Sequence, residues 1–460
     1  MVGHSGDRLG ETSMFSGDGL ILTRSPKLRL LTLMLFYFTQ GFPVGLFFYA
    51  VPSWMAASGA STGAVAAAVG MAALPWSLKL VNGFLIDRYT FLAMGRRRIW
   101  IIGAQGMIVL VLLAGAVISP SHSDVMMLSA IGFAANLAVT FQDVGIDSLA
   151  VDIMPENERA KAGGVMFGAQ VIGISAATAL GGAMLQTFGF SACMIVAACV
   201  PAAVMVYGML IREREGERRM PWSVGESHPV NLAIHTAAWL PLLRNGLRAV
   251  FAPLSLALIP ILLLRALPAG AHEAFHPIMV KEIAGWTLSE YTNVMSTSQL
   301  VAGLLGLTLG GWAIDAVGSQ RSLVILMVLL IAEFVVMGLA QNYWSNSTVL
   351  MIYFFSWDIL SLFCSIALIP IAMRMCSPAV AATQFTIYMA VANFGRPLGA
   401  SLAAATAGAG HPALMYWSIA GCWTGVVLLL LLVRFPDENR AFHAAAEVLP
   451  QGEGLAPARD

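Results

Sequence analysis

Charge is what this chain is short of. Only 11% of its 460 residues are Asp, Glu, Lys or Arg, where a soluble globular chain carries about 25%. That deficit excludes an ordinary water-exposed fold. Neither sign is in excess: 25 basic residues face 25 acidic ones, so the basic surface that nucleic acid requires is absent. Cysteine is scarce too. Cys193, Cys199, Cys364, Cys376 and Cys422 all lie in apolar segments without CxxC spacing, which gives no disulfide framework and no zinc site. They read as small buried hydrophobes. No GxxxxGK[ST] occurs, which removes ATP-driven chemistry by this chain. With no metal cluster and no nucleophile–base arrangement, neither an enzyme nor a cofactor is expected. The first 27 residues are polar and Gly/Ser-rich and lack the apolar core of a cleavable signal. They and the stretch from about Pro436 read as disordered cytoplasmic tails.

What the chain has instead is apolar length, 58% of it. A helix needs about 20 apolar residues to cross a bilayer. Twelve such stretches can be drawn, near 29–54, 62–86, 98–119, 125–151, 162–187, 190–211, 249–278, 288–314, 321–340, 347–373, 380–407 and 412–434. Those starting near 62, 288 and 380 are the least uniformly apolar. With both termini inside, 21 Lys and Arg residues fall on the inner side and one, Lys281, on the outer. Lys79, Arg265 and Arg396 fall within spans. This asymmetry is what the positive-inside rule predicts for cytoplasmic N- and C-termini.

The longest connection separates two groups of six spans. The expected organisation is therefore a tail 1–28, a first half 29–211, a central linker 212–248, a second half 249–434 and a tail 435–460. The halves repeat a pattern: Gly83-x-x-x-Asp87 with Arg88, then Gly95 and Arg96 to Arg98, returns as Gly311-x-x-x-Asp315, then Gly318 and Arg321. Internal repeats of this kind mark secondary transporters, whose site lies near the midplane between the repeats. Physically, Gly83 permits close helix approach, Asp87 can cap a neighbouring helix, and Arg96, Arg97 and Arg98 can pair with acids such as Glu158, next to Arg159. These residues read as a conformational latch.

Charges deeper in the bilayer are costly and signal function or a partner. Span 2 carries Lys79, and span 4 carries Asp143 and Asp147 four apart, on one helical face. Either a Lys79–Asp147 bridge holds the first half together, or the acids take up and release protons. The second half has Arg265, Asp358 and Arg396. Arg396 lies in Gly395-Arg396-Pro397, where the helix is loosened, and its fork suits an anionic solute group. Pairing with Asp358 is the alternative. Glu333 reads as a peripheral acid, and His272, Glu273 and His276 as a wetted helix end or, alternatively, an external gate or pH-sensitive cluster. Gln142, Gln170, Gln384 and Asn393 could bond a solute or join helices. Trp54, Trp76 and Trp417 read as interfacial anchors, and Gly181-Gly182-Ala183 as a close-packing face.

These residues resemble the AmpG-type muropeptide permeases of the major facilitator superfamily, to which acetyl-CoA and siderophore-uptake permeases are related. The matching pieces are Lys79…Asp87-Arg88-Tyr89-Thr90, then Gly95-Arg96-Arg97-Arg98-x-Trp100; Gln142-Asp143-x-x-x-Asp147; Pro155-x-x-Glu158-Arg159; and Ala382-Thr383-Gln384-Phe385…Gly395-Arg396. The chain departs from the group in its opening span, where Thr39-Gln40-Gly41 stands, and after Arg265, where Leu267-Pro268 replaces an acid. The resemblance implies an all-α polytopic protein of twelve transmembrane helices in two pseudo-symmetric halves. It implies a monomeric, proton-coupled permease of a bacterial inner membrane, importing a small polar solute by alternating access. Lys79, Asp143, Asp147 and Arg396 would line its central cavity, with Arg265 at a basic position. A coenzyme or siderophore permease, or a non-transporting membrane assembly factor, are the other readings.

Overall fold

A computed structural model describes residues 20–154, 159–233, 250–375 and 381–433, together with Leu240, Arg244 and Arg248. Twelve helical rods run through these residues. In the first half they are α1 (Pro26–Ala57), α2 (Thr62–Ser77 continued by Lys79–Arg88), α3 (Arg98–Ile118), α4 (Val125–Ile153), α5 (Arg159–Thr187) and α6 (Gly189–Leu210). The second half has α7 (Pro253–Arg265 continued by Leu267–Glu282), α8 (Leu288–Leu305, Gly306–Gly310 and Gly311–Val317) and α9 (Ser319–Leu339). It ends with α10 (Ser347–Arg374), α11 (Ala381–Thr406) and α12 (Pro412–Leu432). Nine described helices are long and apolar enough to cross a membrane. The other three rods are α2, α8 and α11, the spans whose sequence is least uniformly apolar. They are the spans that line the seam between the halves, where polar and small residues are needed.

The same pairs of helices pack against one another in both halves. In the first, α1 lies on α5, α2 on α4, α3 on α4 and α3 on α6. In the second, α7 lies on α11, α8 on α10, α9 on α10 and α9 on α12. The seam is also symmetric: α2 meets α11 and α5 meets α8. Glycine makes the tightest of these contacts possible. A Cβ on Gly173 would lie 2.0 Å from the Phe38 carbonyl oxygen, and one on Gly399 would lie 1.8 Å from that of Leu267. Backbone therefore rests on backbone in both the α1–α5 and the α7–α11 pairs.

Proline sets the breaks. In α7, Pro268 has no N–H for the Leu264 carbonyl four residues back. Trp423 Nε1 donates to that carbonyl at 2.8 Å instead, and the helix restarts after Ala266. In α2, Pro75 precedes a break at Leu78, so Lys79 opens the second segment. A π-type turn, Leu46–Ala50, interrupts α1. Such turns re-aim side chains and gather at functional sites.

The end away from the Arg96–Arg98 cluster is closed. Val51–Ala57 of α1 packs on Leu267–Glu282 of α7, and this α7 segment is almost wholly buried. Ser175 of α5 donates to the Ser296 carbonyl of α8 at 2.8 Å.

At the basic end, the start of the central linker is folded onto the first half. Leu22 N–H donates to the Arg212 carbonyl at 2.9 Å, and Arg212 N–H to that of Leu20 at 2.8 Å. Ile21 and Leu22 are buried, so residues 20–25 belong to the folded body rather than to a disordered tail. The Glu213 carboxylate accepts from the N–H groups of Arg96, Arg97 and Arg98 at 2.8, 2.8 and 2.7 Å. It thereby caps the positive N-terminus of α3. Arg98 donates to the Gly208, Arg218 and Arg219 carbonyls at 3.2, 3.0 and 3.0 Å, satisfying the C-terminal end of α6. Glu217 accepts from Arg214 N–H at 2.9 Å and from Asn231 Nδ2 at 2.8 Å. Burial pushes the Glu217 carboxyl up to about 7, and the neighbouring Glu213 charge adds to the effect.

Candidate functional site

Lys79 is where the first half concentrates its charge. The break after Pro75 places it at the start of the second α2 segment, opposite the acidic face of α4. Its Nζ forms a close ion pair with Asp143 Oδ2 and lies 3.7 Å from Asp147 Oδ2. The lysine therefore holds both acids, with Asp143 rather than Asp147 as the tighter partner. The reason is position: Asp143 lies one turn deeper in α4 and is buried, whereas the Asp147 side chain is 47% exposed. Two further residues complete the cluster, and the sequence reading passed over both. Gln40 Nε2 donates to Asp143 Oδ1 at 2.7 Å, and the Tyr37 hydroxyl donates to Asp147 Oδ1. Gln170 Nε2 extends the chain to Gln40 Oε1 at 2.6 Å. The available signal was the three-residue spacing of Tyr37 and Gln40 within an apolar span, which puts both on one face. Gln40 belongs to the Thr39-Gln40-Gly41 departure.

In the second half, Arg396 approaches Glu273 of α7, with Nη2 to Oε1 at 3.4 Å. Its guanidinium carbon also lies 4.5 Å from the Phe48 ring centroid, a cation–π contact delivered by the π-type turn of α1. The expected Arg396–Asp358 pair does not form. Asp358 instead accepts from Ser298 Oγ at 2.6 Å, because the α8–α10 packing carries it away from α11. Nor are His272, Glu273 and His276 a wetted helix end. They are 3%, 3% and 2% exposed, since aromatic residues of α9, α10 and α12 cover the two histidines and α1 and α11 cover Glu273. The two imidazoles stack with centroids 4.2 Å apart. His272 Nε2 hydrogen-bonds with the Tyr353 hydroxyl at 2.9 Å, and His276 Nε2 with that of Tyr416 at 3.3 Å. Arg265 donates to Ser365. Glu333 accepts from Ser356.

The polar amides divide by role. Asn393 Nδ2 donates to the Trp76 carbonyl at 3.3 Å, a bond between α11 and α2 across the seam. Gln142 turns away from the cluster and donates to the Phe36 carbonyl at 2.8 Å. Gln384 donates to the Tyr388 hydroxyl at 2.6 Å and the Met375 carbonyl at 3.1 Å. Both are buried and hydrogen-bonded to a neighbouring helix. Trp76 is not an interfacial anchor: its Nε1 donates to Asn136 at 3.0 Å beside Lys79.

The basic motif is partly placed. Arg97 Nε donates to Asp152 Oδ2 at 3.0 Å, and Arg96 Nη1 lies 3.9 Å from Asp152 Oδ1. Asp152 at the end of α4 thus supplies an acid of the expected kind. Glu158 and the side chains of Asp87, Arg88, Arg159 and Asp315 lie outside the described residues. A Cβ on Gly83 would lie 3.9 Å from Val144 of α4, and Arg321 is exposed. The repeat survives in the backbone: Gly95 has φ +95° and Gly318 has φ +92°, each at the turn into the next helix.

The model of the Major Facilitator Superfamily matches residues 33–400. The chain belongs to the major facilitator superfamily. This major facilitator chain is 26% identical over 403 residues to a folate-biopterin transporter of Synechocystis sp., covering 82% of the chain and 74% of that protein. Its fold is similar to an aspartate-to-alanine mutant of the nucleoside transporter NupG, with TM-score 0.65 and 13% identity over 88% of this chain and 99% of that one. It is also similar to a glutamate-to-glutamine mutant of the peptide transporter POT in complex with alafosfalin. There the TM-score is 0.63 at 13% identity, over 91% of this chain and 98% of that one. The protein is thus a multi-pass membrane transporter by family and fold.

Proposed function

We propose that this chain imports a polar, anionic solute by proton-coupled alternating access. The observation that carries the reading is one lysine shared between two carboxylates, Asp143 and Asp147, of which only the first is sealed from solvent. A proton on Asp147 leaves Lys79 to Asp143 alone, and its loss restores competition for the ammonium. Such an arrangement has two discrete states that a proton selects, which is the element alternating access requires. Across the seam, Arg396 offers a guanidinium beside an aromatic face, suited to a carboxylate or phosphate joined to a ring. The basic end, with both termini, faces the cytoplasm of a bacterial inner membrane, and the protein works as a monomer.

Two solute types lead. A folate- or biopterin-like anion follows from the name of the Synechocystis relative, and an anhydro-muropeptide follows from the AmpG-type motifs. In liposomes containing the purified protein, an inward proton gradient is expected to accelerate uptake of one of them. Asp147→Asn is expected to lower gradient-driven uptake at least tenfold while leaving counterflow exchange intact. Full proton coupling in Asp147→Asn would remove the assigned role. Absence of any solute movement in the wild-type protein would favour the assembly-factor reading.

A further inference from the structure

Glu273 is distinguished from the other buried acids by what surrounds it. Asp143 accepts from Gln40, Asp358 from Ser298 and Glu333 from Ser356. The Tyr49 hydroxyl of α1 approaches Glu273, but neither Glu273 oxygen receives an aligned hydrogen bond among the described residues. Its countercharge is Arg396, 3.4 Å away, and the Arg396 side chain is 29% exposed while that of Glu273 is 2% exposed. One partner of the pair is therefore open to a solute and the other is not. The other titratable or charged groups near the pair are Tyr49 of α1, Arg265 of α7, Tyr291 of α8 and Asp358 of α10. On α7 itself, His272 and His276 flank it and are held by Tyr353 and Tyr416.

An anion on Arg396 and the Glu273 carboxylate compete for one guanidinium. If the anion wins, a buried carboxylate is left without a countercharge, which is among the costliest arrangements in a protein interior. Neutralising that carboxylate removes the cost. We propose that Glu273 takes up a proton as an anionic group of the solute replaces it on Arg396, making the α7–α11 pair a proton–anion exchange site. One proton moves from water to a Glu273 oxygen, and one solute oxygen takes the place of Glu273 Oε1 at Arg396 Nη2. No other bond changes. This rests on the reading of Arg396 as the solute-anion contact. It adds a proton site separate from the Lys79 cluster.

Two measurements on the full-length protein in liposomes test it. Infrared difference spectra taken across pH 5 to 9 are expected to show a protonated-carboxyl band that is lost in Glu273→Gln. The band should persist to more alkaline pH in Arg396→Gln, where the countercharge is gone. Uptake of folate and of an anhydro-muropeptide is then followed against pH. For whichever is carried, the wild-type apparent KM is expected to rise about tenfold per pH unit above the exchange range, as binding linked to one proton requires. Glu273→Gln should flatten that dependence and keep counterflow exchange. A carboxyl band insensitive to Glu273→Gln, or unmoved by Arg396→Gln, would overturn the exchange, as would an unaltered KM–pH slope in Glu273→Gln. If neither solute is carried, the solute assignment falls, and the infrared result still decides whether Glu273 and Arg396 exchange a proton.

Discussion

Gly95 shows how much can rest on a missing side chain. Its φ of +95° is a conformation that disfavours any residue with a Cβ, by about 1–2 kcal/mol. A Cβ there would also lie 2.5 Å from the Glu213 carboxyl carbon, and Glu213 holds the N-terminus of α3 with three hydrogen bonds. Bonds to a charged group contribute about 1.5–3 kcal/mol each. Gly95→Ala is therefore expected to destabilise the purified protein by at least about 2 kcal/mol, measured as a lowered thermal midpoint in detergent. Gly103→Ala is the control. It lies on α3 with nothing within 4 Å of its would-be Cβ, and it should leave the midpoint unchanged or slightly raised. Equal midpoints for the two variants would show that the Glu213 cap contributes little. The arginine run was legible in the sequence as a motif, but the acid that organises its backbone was not. Glu213 lies 115 residues from Arg98 in a stretch that alternates Arg and Glu, and pattern does not say which of those acids turns inward.

At the scale of elements, spans were legible and their azimuths were not. Apolar length located every rod, and the positions of Lys79, Asp143 and Asp147 named the central cluster of the first half. The second half was misread because proline and π-type breaks rotate one segment against the next. Beyond Pro268, α7 presents Glu273 to α11, and periodicity counted through the break cannot recover that direction. The linker was read as a single connection, yet its residues 212–231 form a folded strap tying the start of α1 to α3, α4 and α6. Arg214 donates to the Asp152 carbonyl at the end of α4 at 3.0 Å. The strap should respond to pH through Glu217. Its carboxyl is raised to about 7 in the folded strap, so between the ordinary carboxylate range and pH 7 the folded form holds a proton that the unfolded form has released. Stability therefore falls as pH rises through that window, by about 2–3 kcal/mol in total, and is lowest above it. Amide exchange of residues 212–231, corrected for its intrinsic pH dependence, is expected to quicken from pH 5 to pH 8 in the wild-type protein. The same increase in Glu217→Gln would show that another group is responsible.

For the whole molecule, the packing defines which parts move together. Each half is tied by its own backbone-to-backbone pair, α1–α5 or α7–α11, and the strap stiffens the basic end of the first. The seam is as extensive as these pairs, and at its closed end it depends on small residues. A Cβ on Gly182 of α5 would lie 1.8 Å from Thr292 Oγ1 of α8, and Ser289 of α8 donates to Gln186 of α5 close by. Alternating access by two-body rocking of the halves would part the seam at this end. A short thiol cross-link between Gln186→Cys and Ser289→Cys, in a background lacking the exposed Cys199 and Cys422, would hold that end shut. Cross-linking is expected to abolish solute uptake into liposomes, and reduction to restore it. The link should leave the Glu273 carboxyl band in place, because it joins α5 to α8 and touches neither Glu273 nor Arg396. Uptake that continued at full rate with the link formed would mean that α5 and α8 do not part during transport, and the two-body rocking motion would have to be abandoned.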